Sequence, residues 1–395
     1  MKRRVVLLAA LLMTMGAASI LSVRFAVSQR IERERYDNQE SELIITNLSG
    51  SGVSLFKTGS TLEKAQPITS FNGQRIWLPT GNYFVKAEQV KTELYYPVPI
   101  VAFRGGPDES GAIVVTVRSR APESPPRLLS SSPEFAEIPS GHSLIGDRLN
   151  QRDPHYVWLT GFYIDRFEVT NEEFKKFMED DDGYASDANW TEAGKRWKHS
   201  NSTKATARLK AADGDFKRFG QPDQPVVQVN WYEANAFCRW LTQKVGAGKW
   251  IFSLPNEAEW EKAGRGPDGF DYALGNTISD AEVSLYNWKK KPSAEITVVG
   301  IGDSVSRYSS NRYGLYHMTG NVSEWTQSVF RALSRAHPYA DDDRNHDDVP
   351  GQRVVRGGSW YTASIAVLNI AYRENFQPEV IAPYLGFRIV ARPLP

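Results

Sequence analysis

Apolar and polar positions divide the chain into segments of different structural type. An apolar run from Val5 to Val23 follows the basic residues "KRR", and at 1.5 Å per residue it would extend about 28 Å, close to the thickness of a bilayer core. A cleaved signal peptide with "GAAS" as its cleavage site is the alternative, but the apolar run continues past those residues. The pattern favours a signal anchor over residues 1–27. It therefore predicts a single-pass protein of the bacterial inner membrane, with the bulk of the chain periplasmic or extracytoplasmic.

Short β-rich runs follow a highly charged stretch, residues 28–40, which is typical of a juxtamembrane stalk. In "QRIWLPTGNYFVKAEQ" apolar residues alternate on either side of Pro-Thr-Gly-Asn, and this predicts a hairpin. Similar runs on both sides indicate a small β-sandwich domain over residues 41–120. The segment "APESPPRLLSSSP", residues 121–133, is rich in proline and serine and is predicted to be a linker.

The remaining residues, 134–395, combine strand-like runs with helical periodicity and predict one larger α+β domain. Three helix starts carry capping residues: Thr170 or Asn171 for the first, Asn230 for the second and Asn256 for the third. Each is followed by apolar residues on one face. Residues 180–224 are polar and are predicted to form a loop.

Composition narrows the classes of function. The 395 residues carry 47 Lys and Arg against 46 Asp and Glu, a net charge of +1, so nucleic acid is not an expected partner. The single cysteine, Cys238, excludes an intrachain disulfide and a multi-cysteine zinc or iron–sulfur site. It shares the apolar face of the second predicted helix, which indicates a structural thiol.

The acidic stretch "DDDRNHDD", Asp341–Asp348, resembles a metal-binding loop at first sight. A run of acids with one histidine is more often a solvated surface loop, which could bind a basic partner. No nucleophile elbow, His-Glu-x-x-His helix or phosphate-binding glycine loop is present in the sequence.

Five blocks in the larger domain carry a family resemblance: "FYIDRFEVTNEEF", "PVVQVNWYEANAFCRWL", "FSLPNEAEWEKAGRG", "YGLYHMTGNVSEW", and "RVVRGGSWY" followed by "AYRENF" and "LGFRIVARP". In this order they resemble the formylglycine-generating enzyme (sulfatase-modifying factor) superfamily. The resemblance implies a C-type-lectin-like α+β fold with little regular secondary structure. The segment "LPTGNYFVKAE" in the smaller domain resembles the PEGA family of β-sandwich modules, which are usually spacers or binding units.

The resemblance also implies a test for the family's oxidase activity. Active members hold copper(I) on two cysteines in the segment after the Gly-Gly-Ser block and use it to convert a substrate cysteine to an aldehyde. Here the corresponding positions hold residues such as Thr362, Ala366 and Val367, and none of these side chains is a soft ligand for copper(I). Copper and formylglycine generation are therefore not expected. Some cysteine-free relatives use iron, but this chain has six histidines without an i, i+3 or i, i+4 pair, so the sequence does not support iron.

Calcium is the metal that the resemblance implies. One family site lies in the Gly-Asn-x-x-Glu-Trp loop, and by position it would take the backbone carbonyls of Gly320 and Val322 and the carboxylate of Glu324. A second site would take Asn287 and the carbonyl of Trp288, although the acidic loop that normally completes it is shortened here.

The first calcium site departs from the family in one position. His317 stands where the family often has Asn or Asp, and imidazole is a poor ligand for calcium. The alternative is that Glu324 and Asn321 hydrogen-bond the loop backbone without an ion. The arginines in these motifs, Arg356 and Arg388, are expected to pair with buried acids such as Glu324.

Two hypotheses for function follow. The first is a membrane-anchored, non-catalytic binding or scaffold subunit of an envelope assembly, with Ser359 and Trp360 facing a protein or glycan partner. The second is a metal-dependent oxidoreductase of the cysteine-free branch. The binding or scaffold hypothesis explains why the motifs that define the fold are present while the reactive cysteines are missing.

Overall fold

The computed structural model describes residues 40–46, 52–69, 75–88, 93–100, 113–117, 123–146, 155–210, 219–278, 299–301, 308–331 and 342–394. The predicted signal anchor lies outside these ranges, as does the charged stalk apart from its last residue. Within the described ranges, no helix combines the length and the apolar character needed to cross a membrane. The predicted single-pass inner-membrane location is therefore corrected.

In the described residues of the smaller domain, two sheets share one core. Its strands are β1 (Glu40–Thr46), β2 (Gly52–Lys57), β3 (Gln66–Pro67), β4 (Arg75–Pro79), β5 (Gly81–Glu88), β6 (Glu93–Ile100) and β7 (Ile113–Thr116). The strand orders are β4-β1-β7 and β3-β2-β5-β6. Alternate residues of both sheets, among them Leu43, Leu55, Leu78 and Val85, point into a common apolar cluster, as in a β-sandwich.

The predicted hairpin in this domain is wrong. β4 pairs with β1, whereas β5 pairs with β2 and β6, so the two strands lie in different sheets. The Pro-Thr-Gly turn carries the chain from one sheet to the other. Leu78 and Tyr83 are both buried in the shared core. The apolar alternation is therefore the same whether the turn joins two strands of one sheet or two strands of opposite sheets.

Among the residues that the structure describes, the larger domain contains three sheets and four α-helices. Its strands are β8 (Ala136–Ile138), β9 (Gly141–Ile145), β10 (His155–Leu159), β11 (Phe162–Ile164), β12 (Trp250–Ser253), β13 (Ser323–Val329), β14 (Arg353–Arg356), β15 (Glu374–Phe376), β16 (Leu385–Gly386) and β17 (Val390–Pro393). The strand orders are β12-β17-β11-β8, β15-β14-β13-β16 and β10-β9. Short strands joined by long irregular segments confirm the predicted α+β class with little regular secondary structure.

The helices are α1 (Asn171–Glu179), α2 (Glu192–Lys210), α3 (Trp231–Val245) and α4 (Glu257–Arg265). Thr170, Asn230 and Asn256 cap α1, α3 and α4, each with a capping box to a glutamate at the third helical position. The helix α2 lies in the segment predicted to be a loop, and that prediction is wrong. Its sequence has no apolar stripe, so helical periodicity was absent from the pattern.

Aromatic side chains fill the main core of the larger domain. Phe174 and Phe177 of α1 pack against Phe237 and Trp240 of α3 with ring centroids 5.4–5.8 Å apart. Large rings bury much apolar surface per residue, which suits a domain with short strands. This core fixes the ends of β13 and β14, from which the candidate site extends.

The predicted Pro/Ser linker packs on the larger domain where it is described. The side chain of Ser132 donates to Glu173 at the start of α1, and Arg127 Nη1 donates to the carbonyl of Ser132 at 3.0 Å. Leu128 contacts the aromatic core.

Candidate functional site

The turn after β14 brings the candidate groove residues together. Gly357 and Gly358 have φ values of 92° and 63°, a region that favours glycine. A Cβ atom on Gly358 would lie 2.7 Å from Leu368 Cδ2, 3.2 Å from Thr362 Oγ1 and 3.3 Å from the carbonyl oxygen of Val367. The turn therefore folds the chain tightly against the segment in which the family's cysteines are expected.

The positions expected to hold thiols carry other groups. Thr362 Oγ1 accepts a hydrogen bond from the backbone N–H of Ser359 at 2.9 Å, and Val367 lies in a short 3₁₀ helix, Ile365–Leu368. Cys238 lies in α3 and is only 1% exposed. Burial raises the pKa of this thiol well above its usual value, so it stays protonated and unreactive.

Of the two predicted partner-binding residues, the turn buries one and leaves the other at the surface. Ser359 is 2% exposed, and its Oγ accepts from the backbone N–H of Tyr361. Trp360 stacks on Phe219 with centroids 5.6 Å apart. Beside it, Tyr361 is 49% exposed and stacks on Tyr384 at 5.1 Å. We call Trp360, Tyr361 and Tyr384 the aromatic surface.

The predicted calcium loop adjoins this turn. Gly320 has a φ of 93° and donates its N–H to the carbonyl of Gly357 at 2.9 Å, while the carbonyl of Asn321 accepts from the N–H of Trp360 at 2.9 Å. These backbone bonds join the Gly-Asn-x-x-Glu-Trp loop to the Gly-Gly-Ser turn. Val322 is buried at the end of the loop, immediately before β13.

The Glu324 carboxylate is fully occupied by protein donors. Arg388 binds it through two parallel hydrogen bonds of 2.7 Å, one from Nη2 to Oε1 and one from Nε to Oε2, and Trp260 Nε1 donates to Oε2 at 2.7 Å. Burial raises the pKa of Glu324, and the guanidinium partly offsets this. The predicted pairing of Arg388 with Glu324 is present, and the carboxylate charge is already compensated.

A second buried acid engages the residues beside the loop. His317 Nδ1 lies 2.7 Å from Glu168 Oε2, and Asn321 Nδ2 donates to Glu168 Oε1 at 3.0 Å. Burial acts to raise the pKa of Glu168, but the adjacent His317 outweighs it and the net pKa is lowered.

The described donors around the loop do not fit a calcium ion. An imidazole pairs with Glu168, and a guanidinium and an indole take both oxygens of Glu324, where calcium requires a set of free oxygen ligands. The second predicted site, Asn287 and Trp288, lies outside the described residues. Elsewhere in the described part of the chain, no three His, Cys, Asp or Glu side chains converge in a way that could hold a metal.

Arg356 pairs with buried acids, as the sequence predicts, but these acids lie on α4. Its Nη2 lies 3.0 Å from Glu261 Oε2 and 3.3 Å from Glu257 Oε2, both on α4. Burial raises the pKa of Glu261, but Arg265 and Arg356 outweigh it and leave the pKa lowered. This network fixes α4 against β14 and offers no free reactive group.

The acidic stretch is only partly a solvated loop. Arg344 is buried and lies 3.3 Å from Glu257, while His346 and Asp348 are exposed. Asp347 accepts hydrogen bonds from Asn235, Gln327 and Arg239. The carboxylate of Asp347 is thus a structural acceptor rather than one free for a basic partner.

Fold and site together define a C-type-lectin-like α+β domain whose groove keeps the turn of an oxidase but lacks its thiols. A family model described as "Sulfatase-modifying factor enzyme 1-like domain" matches residues 120–393. The chain belongs to this family, which confirms the resemblance in the larger domain.

Curated relatives differ in the activities that their names give. "Serine/threonine-protein kinase pkn1" of Chlamydia caviae is 30% identical over 286 residues, covering 69% of this chain and 40% of the relative. "Hercynine oxygenase" of Mycolicibacterium thermoresistibile is 30% identical over 259 residues, covering 61% and 53%. "Inactive C-alpha-formylglycine-generating enzyme 2" of Mus musculus is 29% identical over 290 residues, covering 66% and 86%. The chain thus spans two fifths of the kinase and about half of the oxygenase.

Proposed function

We propose that the larger domain is a non-catalytic binding domain for a protein or glycan partner. The observation that carries this proposal is that the segment expected to hold the two thiols carries residues such as Thr362, Ala366 and Val367, while the turn before it is kept. Copper(I) needs soft sulfur ligands, and the hydroxyl and carbonyl groups at these positions are hard. Similarity to an inactive family member supports the same conclusion.

The aromatic surface is the proposed contact region. Tyr361 and Tyr384 stack in parallel, and Tyr361 is half exposed, so a rigid amphipathic face is available at little cost in side-chain entropy. Aromatic residues with polar tips are enriched at binding interfaces. The smaller domain is proposed to be a PEGA-like spacer that presents the larger one.

Two measurements on the full-length protein test this proposal. In the first, the protein is incubated with copper(I), oxygen and a sulfatase-type cysteine peptide, and aldehyde formation is followed by mass spectrometry beside an active family member. No aldehyde is expected. In the second, proteins and glycans captured by the wild type are compared with those captured by Tyr361→Ala. Conversion of the peptide, or the same captured partners for both proteins, would contradict the proposal.

We also propose that the Gly320–Glu324 loop is held by protein charges in place of calcium. The ion pair between Arg388 and Glu324 and the contacts of Glu168 with His317 and Asn321 support this. The melting temperature of the protein is expected to be the same in excess EDTA and in millimolar calcium. A rise in melting temperature with calcium, by the mass-action stabilisation of a specific ligand, would contradict it.

A further inference from the structure

A polar groove lies away from the aromatic surface and uses none of its residues. It has a volume of about 480 Å³, within the range of about 300–1,000 Å³ that is common for small-molecule sites. It lies between β10, the end of β12, the start of α4 and the acidic stretch. A neighbouring cleft of about 720 Å³ shares Asn345 and Asp347 with it. We call the first of these the polar groove.

An exposed tryptophan forms one wall of the polar groove. The side chain of Trp158, on β10, is 51% exposed. His142 of the paired strand β9 packs edge-on against the indole with ring centroids 4.9 Å apart and an interplanar angle of 77°. The ring is therefore held in place while half of its area remains open. An indole exposed at a groove is an apolar platform that a ligand can cover.

The charged residues of the polar groove are neutralised by one another. Arg392 binds both oxygens of Glu259 at 2.5–3.1 Å and donates to Ser253 Oγ at 2.7 Å. Arg239 binds Asp347 through Nε at 3.0 Å and Nη2 at 2.9 Å. These pairs leave no uncompensated charge to attract an ionic ligand, because each carboxylate already faces a guanidinium.

Amide groups supply the remaining hydrogen-bonding capacity. Gln327 is 6% exposed and donates to Asp347, while its own Oε1 has no donor. Asn256 uses Oδ1 as a helix cap and Asn345 Oδ1 accepts from Ser328, and Nδ2 of each has no acceptor among the described residues. The Gln327 oxygen is inaccessible, whereas Asn256 and Asn345 are partly exposed and line the polar groove, so their amide N–H groups are the ones that a ligand can reach.

We propose that the polar groove binds a neutral saccharide. A sugar ring has one apolar face of C–H groups that fits a flat indole, and hydroxyl groups around its edge that both donate and accept hydrogen bonds. The polar groove offers both: Trp158 for the C–H face, and the free amide N–H groups of Asn256 and Asn345 as donors to the hydroxyl groups. The neighbouring cleft gives room for further sugar units.

Other ligand classes match these groups less well. An anionic or cationic ligand would have to displace Arg392 from Glu259 or Arg239 from Asp347, breaking bonds of 2.5–3.1 Å. An apolar peptide side chain would cover the Trp158 ring but leave the amide groups without partners. A neutral polyhydroxylated ring satisfies both requirements at once.

Saturation-transfer NMR on the full-length protein tests the proposal with lactose, cellobiose, maltose and N,N′-diacetylchitobiose as separate probes. At least one probe is expected to bind with a Kd below about 10 mM. The Trp158→Ala variant is expected to weaken binding about tenfold or more through loss of the stacked face. The matched control is Ile365→Ala, which removes an equally exposed apolar side chain that belongs to neither the polar groove nor the aromatic surface, and it is expected to leave saccharide binding unchanged. Tyr361→Ala is measured beside it.

A second variant checks the hydrogen-bonding part of the site. Asn345→Leu keeps the side-chain shape, removes the amide N–H group that faces the polar groove and is expected to weaken the same probe, with the melting temperature measured to confirm folding. Absence of binding for all four probes would overturn the proposal, as would equal binding by the wild type and folded Trp158→Ala. A loss confined to Tyr361→Ala would place saccharide binding at the aromatic surface instead. Because the variants differ, failure here is distinguishable from failure of the proposed binding domain.

Discussion

Lys262 is a buried lysine whose ammonium group forms no ion pair with the described residues. Its Nζ donates to the carbonyls of Pro139 at 2.7 Å and Gly141 at 3.1 Å, and the side chain is inaccessible. Burial lowers the pKa of this lysine from 10.5 to about 7, and Glu259 only partly opposes the shift. The group joins α4 to the turn before β9, so its protonation state bears on the stability of the larger domain.

Substitution of Lys262 by methionine should change the pH dependence of unfolding. Between pH 7 and pH 10.5 the unfolded chain holds a proton that the folded chain has lost, so the free energy of unfolding of the wild type rises with pH. The contribution is at most about 1.4 kcal/mol per pH unit. Urea titrations at pH 7, 8 and 9 should show this rise in the wild type and a smaller one in Lys262→Met.

Lys175→Met is the matched control for this prediction, since Lys175 is exposed and pairs only with Glu179 on the helix surface. Its unfolding free energies should run parallel to those of the wild type. Curves for Lys262→Met that also run parallel to the wild type would show that Lys262 keeps its proton when buried.

Single residues also show which features of the candidate site can be predicted from the sequence. The pairing of Arg388 with Glu324 was predictable because opposite charges within buried motifs must meet. The burial of Ser359 was not, since it follows from the left-handed backbone of Gly357 and Gly358 and from the bond between Thr362 and the turn. The sequence places Trp158 on a short strand but does not predict its exposure. The exposure depends on which elements pack nearby.

At the scale of elements, capping chemistry predicted better than periodicity. Three helices begin at residues whose side chains bond the first turn, and the bonds are local enough to read from sequence. The helix α2 has a polar sequence and is held by tertiary contacts such as Lys198 Nζ, which donates to the carbonyl of Ala185 at 3.0 Å. The alternation of apolar residues along β4 and β5 predicted correctly which side chains are buried. It did not predict which strands pair, because the two strands face one core from two different sheets.

The polar groove shows a further limit at this scale. Its walls come from β10, β12, β13, β17, α4 and the acidic stretch, which are separated by up to about 230 residues along the chain. Periodicity and capping describe each element alone, so they cannot bring Trp158 and Gln327 to one cavity. The five family blocks predict how most elements of the larger domain are arranged. For this reason the family resemblance predicted the fold, although it did not predict the polar groove.

At the scale of the whole molecule, Arg312 is among the residues that connect the two domains. Arg312 of the larger domain binds the buried Asp268 through Nε at 2.9 Å and Nη2 at 3.0 Å. The same Nη2 donates to the carbonyl of Leu62 at 2.9 Å, and the guanidinium lies 4.4 Å from the ring centroid of Phe84. A single planar cation thus connects an acid of one domain to a carbonyl and an aromatic face of the other.

Arg312→Ala should loosen this connection and destabilise the protein. The variant loses the contacts to Leu62 and Phe84 and leaves Asp268 buried without its counter-charge, a loss of about 2–4 kcal/mol in unfolding free energy. Thermal unfolding followed by far-UV circular dichroism and by tryptophan fluorescence should then separate into two transitions. Trp77 is the only tryptophan of the smaller domain within residues 41–120, so fluorescence reports mainly on the larger one.

The double variant Arg312→Met with Asp268→Asn separates docking from charge burial. The double variant no longer buries an uncompensated carboxylate, but it still lacks the contacts that Arg312 makes between the domains. The two transitions should therefore remain apart while the larger domain regains stability. Other contacts across the boundary remain in both variants, among them the β-bridge between Thr61 and Gly275 and the packing of Tyr95 against the core of the larger domain. Because these contacts are the same in both variants, they do not account for a difference between them. Coincident transitions in both variants, with a midpoint equal to that of the wild type, would mean that the domains are joined by something other than Arg312.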